Sequence, residues 1–357
     1  MELLQEIQKG LQDKEGYILL ATDEISYLLD IKSSFNIFEF NLVLLITRKK
    51  VYLLCTSYEK EQLKKLTPST CKYVTIKQEE IFNELYYYPL TIRSLLENDK
   101  ITKIYSPSNI TDNMYNVKSE TIDDIILKSA AIKTDEEIQY LKRAIQITEK
   151  SMHQTLKEIE PGITEIEARN RIDSYIYSNG GERRIVPSKV AFGKNSLSVQ
   201  PTPGNTAYKD SKNIFFSAGT MFRGQGISLP QNFVKGNLTA KIQSIFNHLI
   251  NLREELYEYI QPGIKLSSVA EFYLDRITIL KLNKNIYFSP VSIVILNDRD
   301  IPATLYNNTI IKEYMTIKIS PSIFLSNFGR LQVTDIIYIN KLKDSILLTN
   351  TRYHFGL

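Results

Sequence analysis

Residues 158–172 read EIEPGITEIEARNRI, and residues 258–277 read EYIQPGIKLSSVAEFYLDRI. Each stretch closes one helical pattern at a Pro-Gly pair and opens another, because proline cannot continue a helix and glycine takes backbone conformations that end one. Upstream of the first lies the capping box Thr134-Asp-Glu-Glu137, followed by Ile138, Leu141, Ile145, Met152 and Leu156 on one helical face. Downstream, a second capping box (Thr164 to Glu167) opens a helix with Ala168, Ile172 and Ile176 inward. The later copy repeats this with a long helix over 235–259 (Leu238, Ile242, Ile245, Leu249, Leu256) and a following helix with Val269, Phe272, Tyr273 and Ile277. Strand-like segments come after each copy, ending with MTIKIS (315–320) and DIIYINK (335–341). A helix–break–helix–strands unit used twice predicts an internally duplicated domain. Two unrelated Pro-Gly stops are the alternative.

Ahead of this domain the pattern changes. An amphipathic N-terminal helix (Leu3, Leu4, Ile7, Leu11) precedes apolar segments at 17–23, 41–57, 72–76 and 100–106, with helical stretches at 58–66 and 79–97. The segment 41–57 reads as a β-hairpin turning at Thr47 to Lys50. Strands alternating with helices predict an α/β layer structure. The expected division is 1–128 and 129–357.

A length of 357 residues favours two domains. No apolar run approaches the ~18 residues of a membrane span, so no membrane partner is expected. The N-terminus does not resemble a secretory signal. Cys55 and Cys71 make no disulfide framework and suit a reducing compartment, so a cytoplasmic location is expected. The formal charge of +4 is mildly basic and admits an acidic partner.

The segment ILKSAAIKTDEEIQYLKRAIQITEKSM (126–152) resembles the linker and first helix of the creatinase, prolidase and Xaa-Pro aminopeptidase family, through Lys133, Glu137, Ile138, Leu141 and Ala144. The paired Pro-Gly helices, FGKN (192–195), TPGN (202–205) and the closing strands continue the resemblance over nearly the full chain. It implies an α/β (α+β) protein, with a creatinase-type N-terminal α/β domain followed by a pita-bread C-terminal domain of duplicated helix–strand units. It also implies a homodimer.

Members of that family hold two divalent metals through two Asp, one His and two Glu. Carried over by motif, those positions fall on Ser217, Ser228, Ser292, Ser320 and Thr334, and two assisting histidines fall on Gln200 and Arg299. A check free of register agrees. Between Ala191 and Ile250 the only carboxylate is Asp210, and after Glu271 the only Glu is Glu313. The three histidines, His153, His248 and His354, leave none between 249 and 353. The expectation is therefore no metal, no cofactor and no catalytic residue, with seven vestigial cleft positions. Neutral Ser and Thr avoid the like-charge repulsion that buried carboxylates would suffer without cations.

Creatinase works without metal, yet its acid/base histidine falls on Gln200, which does not titrate. Asp298-Arg299-Asp300 reads as a solvated loop, with a salt-bridged site as the alternative, and GISLP and MFRGQG read as turns. By resemblance to metal-free relatives in a histone chaperone and on ribosomes, the expected protein is not an enzyme. It is expected to be an inactive peptidase-like factor binding a peptide, a protein, or an acidic or nucleic-acid-containing assembly of ribosome or chromatin type. A metal-independent hydrolase or small-molecule enzyme using the same cleft is the alternative. A cleft filled by Phe222, Leu229 or Leu331 would favour a scaffolding role.

Overall fold

The computed structural model describes residues 2–31, 42–67, 71–77, 79–80, 87–122, 125–209, 213–296 and 299–350. His354, Asp298, Asp210 and residues 81–86 of the helix expected over 79–97 lie outside the described residues. The chain divides into two compact units, Met1–Ala130 and Ala131–Leu357.

The N-terminal unit runs α1 (Glu2–Gly10), β1 (Glu15–Leu19), α2 (Thr22–Leu28), β2 (Val43–Thr47), β3 (Val51–Cys55), α3 (Ser57–Leu63), β4 (Cys71–Thr75), α4 (Pro89–Asn98), β5 (Lys103–Ser106), α5 (Asp112–Tyr115), β6 (Lys118–Thr121) and α6 (Ile125–Ala130). Its six strands order as β4-β3-β2-β1-β5-β6. The expected hairpin is β2–β3, closed by the Thr47 N–H donating to the Lys50 carbonyl at 2.8 Å. Every residue of β2 and β3 is buried, which explains why these runs are apolar throughout instead of alternating. One face packs Leu44, Ile46 and Leu53 under α1 and α2, and the other packs Val43, Leu45 and Leu54 against Ile92 and Leu96 of α4. Cys55 and Cys71 are buried and form no disulfide with each other, and burial pushes the Cys55 thiol up to about 11.

The C-terminal unit opens with α7 (Asp135–Lys157) and α8 (Glu165–Ser178), followed by β7 (Arg183–Arg184), β8 (Lys189–Phe192), β9 (Asn213–Phe222) and β10 (Gln225–Val234). Then come α9 (Ala240–Tyr259), α10 (Leu266–Ile279), β11 (Val291–Val294), β12 (Asp300–Pro302), β13 (Thr316–Ile319), β14 (Ser322–Leu325), β15 (Gly329–Gln332), β16 (Asp335–Ile339) and β17 (Ser345–Leu347). Both capping boxes form, with the Glu137 and Glu167 N–H groups donating to the Thr134 and Thr164 hydroxyls at 3.2 Å. Ile138, Leu141, Ile145, Met152 and Leu156 of α7 are buried, worth roughly 10 kcal/mol gross in apolar burial.

The duplication is visible in backbone detail. Gly162 N–H donates to the Tyr208 carbonyl at 2.9 Å, and Tyr208 N–H returns to Ile163 at 2.7 Å. In the second copy, Gly263 N–H donates to Ile311 and Ile311 N–H returns to Ile264, both at 2.9 Å. The two glycines share a left-handed φ, +102° and +96°. Each Pro-Gly break is therefore a hook that clips the second helix of a copy to the strand-bearing segment after it.

The sheets of this unit carry a helix-covered face and an opposite face. On β9, Ile214, Phe216 and Ala218 meet Ile227, Leu229 and Phe233 of β10 in the core under α7 and α8. Strand alternation turns Ser217 and Ser228 to the other face. GISLP is not a turn but part of β10, while MFRGQG turns at Arg223 and Gly224, both with positive φ.

Candidate functional site

Ser217 stands on β9 opposite Pro230, and Ser228 on β10 opposite Gly219, so the two serines are diagonal neighbours on one face. Their closeness depends on Gly219. A Cβ there would lie 2.4 Å from the Ile227 carbonyl oxygen and 2.7 Å from the Ser228 Cα, so no other residue fits. On the other side of β9, Lys189 of β8 faces Ser217, and its ammonium donates to the side-chain carbonyl of Gln200. Gln200 itself is exposed.

Ser320 and Thr334 meet directly, oxygen to oxygen, at 2.5 Å. Gln332 Nε2 donates to Ser320 Oγ at 2.8 Å, and Thr334 Oγ1 donates to the Pro230 carbonyl. Each hydroxyl has one proton, so the bonds run in one sense: Gln332 to Ser320, Ser320 to Thr334, Thr334 to Pro230. The Thr334 N–H adds a bond to Gln231 Oε1 at 2.9 Å. This relay ties the end of β15 and the start of β16 to β10, next to Ser217.

Ser292 Oγ donates to Asp300 Oδ2 at 2.9 Å, and Lys318 forms an ion pair with the same carboxylate. Lys318 stands beside Ser292 across β11 and β13, and both charged side chains are about one-sixth exposed. Asp300 is thus a half-buried member of the site, which corrects the expectation of a solvated loop. The reason is that β12 pairs antiparallel with β11 as the edge strand of the sheet, which sets Asp300 diagonally across from Ser292. Arg299 is half-buried at the hairpin's end, where its N–H donates to Leu296 at 2.8 Å.

Two buried cations hold the margins of the site in place. Lys133 is buried and donates to the Ile295 carbonyl just past the end of β11. Burial lowers its ammonium to about 8, against the opposing pull of Glu137 and Asp300. Arg330 lies between the rings of Phe215 (4.4 Å) and Phe324 (4.7 Å) and donates to the Ser198 and Val199 carbonyls at 2.5 and 2.8 Å. It positions the loop that carries Gln200, and burial lowers it to about 10.

The structure therefore joins Ser217 with Ser228, Ser320 with Thr334, and Ser292 with Asp300. Gln200 reaches the first group through Lys189, and Arg299 adjoins the third. Sequence reasoning missed Gln332 and Lys318, read Lys133 only as part of the family motif, and took Asp300 for a loop residue. Only Gln332, an amide of glutamate's shape two residues before Thr334, offered a local signal.

The family resemblance implies a pair of divalent metals here, and the residues do not fit it. The positions that the resemblance assigns to bridging carboxylates carry the hydroxyls of Ser217, Ser228, Ser320 and Thr334, and neutral hydroxyls are weak ligands for hard dications. The Ser320 and Thr334 oxygens are already engaged with each other. The one carboxylate, Asp300, is neutralised by Lys318. Among the described residues no group of three or more His, Cys, Asp or Glu could hold a metal ion.

Residues 139–341 match metallopeptidase family M24, and the chain belongs to that family. It is 25% identical over 311 residues to proteins named uncharacterized peptidases from Staphylococcus aureus strains USA300 and NCTC 8325, covering 85% of this chain and 84% of theirs. Its fold is similar to an Xaa-Pro dipeptidase from Bacillus anthracis (TM-score 0.83, 18% identity, 98% and 97% of the two chains covered). It is also similar to the prolidase from Pyrococcus furiosus (TM-score 0.81, 18% identity, 98% and 99% covered). The pita-bread architecture expected from the sequence is thereby shown. The expectation that the chain is not an enzyme is overturned: the family is one of metallopeptidases, and its curated relatives bear the name peptidase. The expectation rested on the missing metal ligands and on Gln200 standing where an acid/base histidine would be, and loss of those groups does not exclude hydrolysis, which has other routes to an activated nucleophile.

Proposed function

We propose that the C-terminal unit recognises a peptide or protein segment on the face carrying Ser217 and Ser228, by hydroxyl, amide and ion-pair contacts instead of bridged metals. The observation that supports this is the relay from Gln332 to Pro230, which fills with bonded, neutral groups the place where the family resemblance puts metal ligands. Extended peptides present alternating donors and acceptors, and a face of hydroxyls, a lysine–aspartate pair and a lysine–glutamine pair complements them. Leu229 and Phe222 favour an open face over a scaffolding role. Leu229 packs in the helix-side core, and Phe222 packs edge-on against Tyr140 of α7 at 6.1 Å. Leu331 belongs to the cluster with Phe246 and Leu249 of α9.

Calorimetric titration of Xaa-Pro peptides into chelator-dialysed protein tests the proposal, with the titration repeated in Mn²⁺ and turnover followed in parallel. Equal affinity in both conditions is expected. Binding that appears only with Mn²⁺, or two metal equivalents that survive dialysis, overturns it.

A second reading, metal-independent hydrolysis, is favoured by Lys189 facing Ser217 across β8 and β9. A lysine beside a serine is one arrangement for activating a hydroxyl. Chelator-resistant turnover abolished by Ser217→Ala, with peptide affinity kept, would establish it.

A further inference from the structure

A hollow of about 480 Å³ lies on the helix-covered side of the C-terminal unit, between α7 and the residues after β17. It is lined chiefly by Lys142, Arg143, Glu149, Lys150, Asn179 and Asn350. None of these belongs to the cleft described above. Lys142, Gln146 and Lys150 recur every four residues and so line one stripe of α7, with Arg143 beside it. Elsewhere on this unit exposed arginines have partners: Arg171 with Glu158 at 2.9 Å, Arg184 with Asp173 at 2.6 Å and Arg276 with Glu255 at 2.7 Å. Lys142, Arg143 and Lys150 have no carboxylate partner among the described residues. Three neighbouring cations with no carboxylate partner among the described residues repel one another, and an anionic ligand would relieve that repulsion.

Glu149 is the one carboxylate among the described residues that line the hollow, and its negative charge is masked. Its Oε1 accepts from the Asn350 N–H at 2.7 Å. Burial, and then the charge of Asp335 behind it, push the carboxyl up to about 7. Asp335 is itself held by Arg253, whose Nε lies 3.2 Å away. The groups around Glu149 are thus Asp335 and Arg253 from the core, Lys142, Arg143 and Lys150 along its own helix, and His153 one turn on.

We propose that this hollow docks an acidic peptide segment. Lys142 and Lys150 are eight residues apart on one helix, a rise of about 12 Å, so the cations are strung along a line that a segment with several acidic side chains matches over its length. In an extended peptide, alternate side chains point the same way about 6.6 Å apart, so acidic residues at positions 1, 3 and 5 span about 13 Å. The amide of Gln146 lies between the two lysines on the same stripe to meet the segment's backbone.

The test is titration of a labelled octapeptide with aspartate at alternate positions into the full chain, beside an isomer with asparagine at those positions. Tight binding of the aspartate peptide alone is expected, weakened at least tenfold in Lys142→Glu/Arg143→Glu/Lys150→Glu and steeply reduced by salt. Neutral Xaa-Pro peptides, which report on the cleft, should bind this variant as they bind wild type, which also certifies its fold. Lowering the pH from 8 to 6 should tighten aspartate-peptide binding in wild type but not in Glu149→Gln. Equal affinity for both octapeptides, no loss in the charge-reversed variant, or full displacement by millimolar inorganic phosphate would each overturn the proposal.

Discussion

Thr334 illustrates how a single buried hydroxyl can carry a site. It is 2% exposed, receives Ser320 and donates to Pro230. Thr334→Val keeps the shape but strands the Pro230 carbonyl and the Ser320 hydroxyl in a buried place, a cost of about 1–3 kcal/mol. Urea denaturation should show that loss, whereas Thr334→Ser should recover most of it. Glu149 provides a second residue-level expectation. Its carboxyl is raised from 4.5 to about 7 on folding, so the folded state holds the proton more tightly than the unfolded one. Stability from this group is full below pH 4.5 and is lost as pH rises through 7, a change of about 3 kcal/mol. Glu149→Gln keeps an acceptor for Asn350, so its unfolding free energy should lose that decline, and near pH 8 the variant should be the more stable protein.

The helices and hooks were the legible part of the chain. Capping boxes at Thr134 and Thr164, the Pro-Gly pairs and the β2–β3 hairpin are short-range signals, and each forms where its residues stand. Lys318, Asp300 and Lys133 were illegible for the opposite reason. Lys318 sits in an alternating strand where a polar residue usually marks the solvent face, and nothing local says that this face is the inside of a site. Lys133 finds its acceptor 162 residues away. The hooks make a prediction of their own. Gly162 and Gly263 have the same left-handed φ, and at neither would a Cβ meet any atom within 4 Å. Replacement by alanine should thus cost backbone strain alone, about 1–3 kcal/mol. The two single variants should lose nearly equal stability by chemical denaturation, and unequal losses would mean the copies are not mechanically equivalent.

For the molecule as a whole, the poor fit to metals has a thermal consequence. A ligand that binds only the folded state at a thousandfold excess over its Kd adds about 4 kcal/mol and would raise the melting temperature by about 10 °C. Manganese at that excess over a micromolar site, or exhaustive chelation, should leave the melting temperature of this protein unchanged to within about 1 °C. A chelator-sensitive melt would mean that divalent ions are held by groups other than Ser217, Ser228, Ser292, Ser320 and Thr334. Membership in family M24 makes this measurement decisive for mechanism: peptidase turnover from a protein whose melt ignores metal has to use its own side chains.

The one-way bonds from Gln332 through Ser320 and Thr334 to Pro230 also create a spectroscopic reporter. Hydroxyl protons in water exchange too fast to be seen, but two that are 5% and 2% exposed and committed to fixed acceptors are shielded from that exchange. They should give discrete downfield proton resonances with no isotopic or chemical label. A peptide seated on the neighbouring Ser217 face would shift those lines, so occupancy of the cleft could be followed from inside the protein.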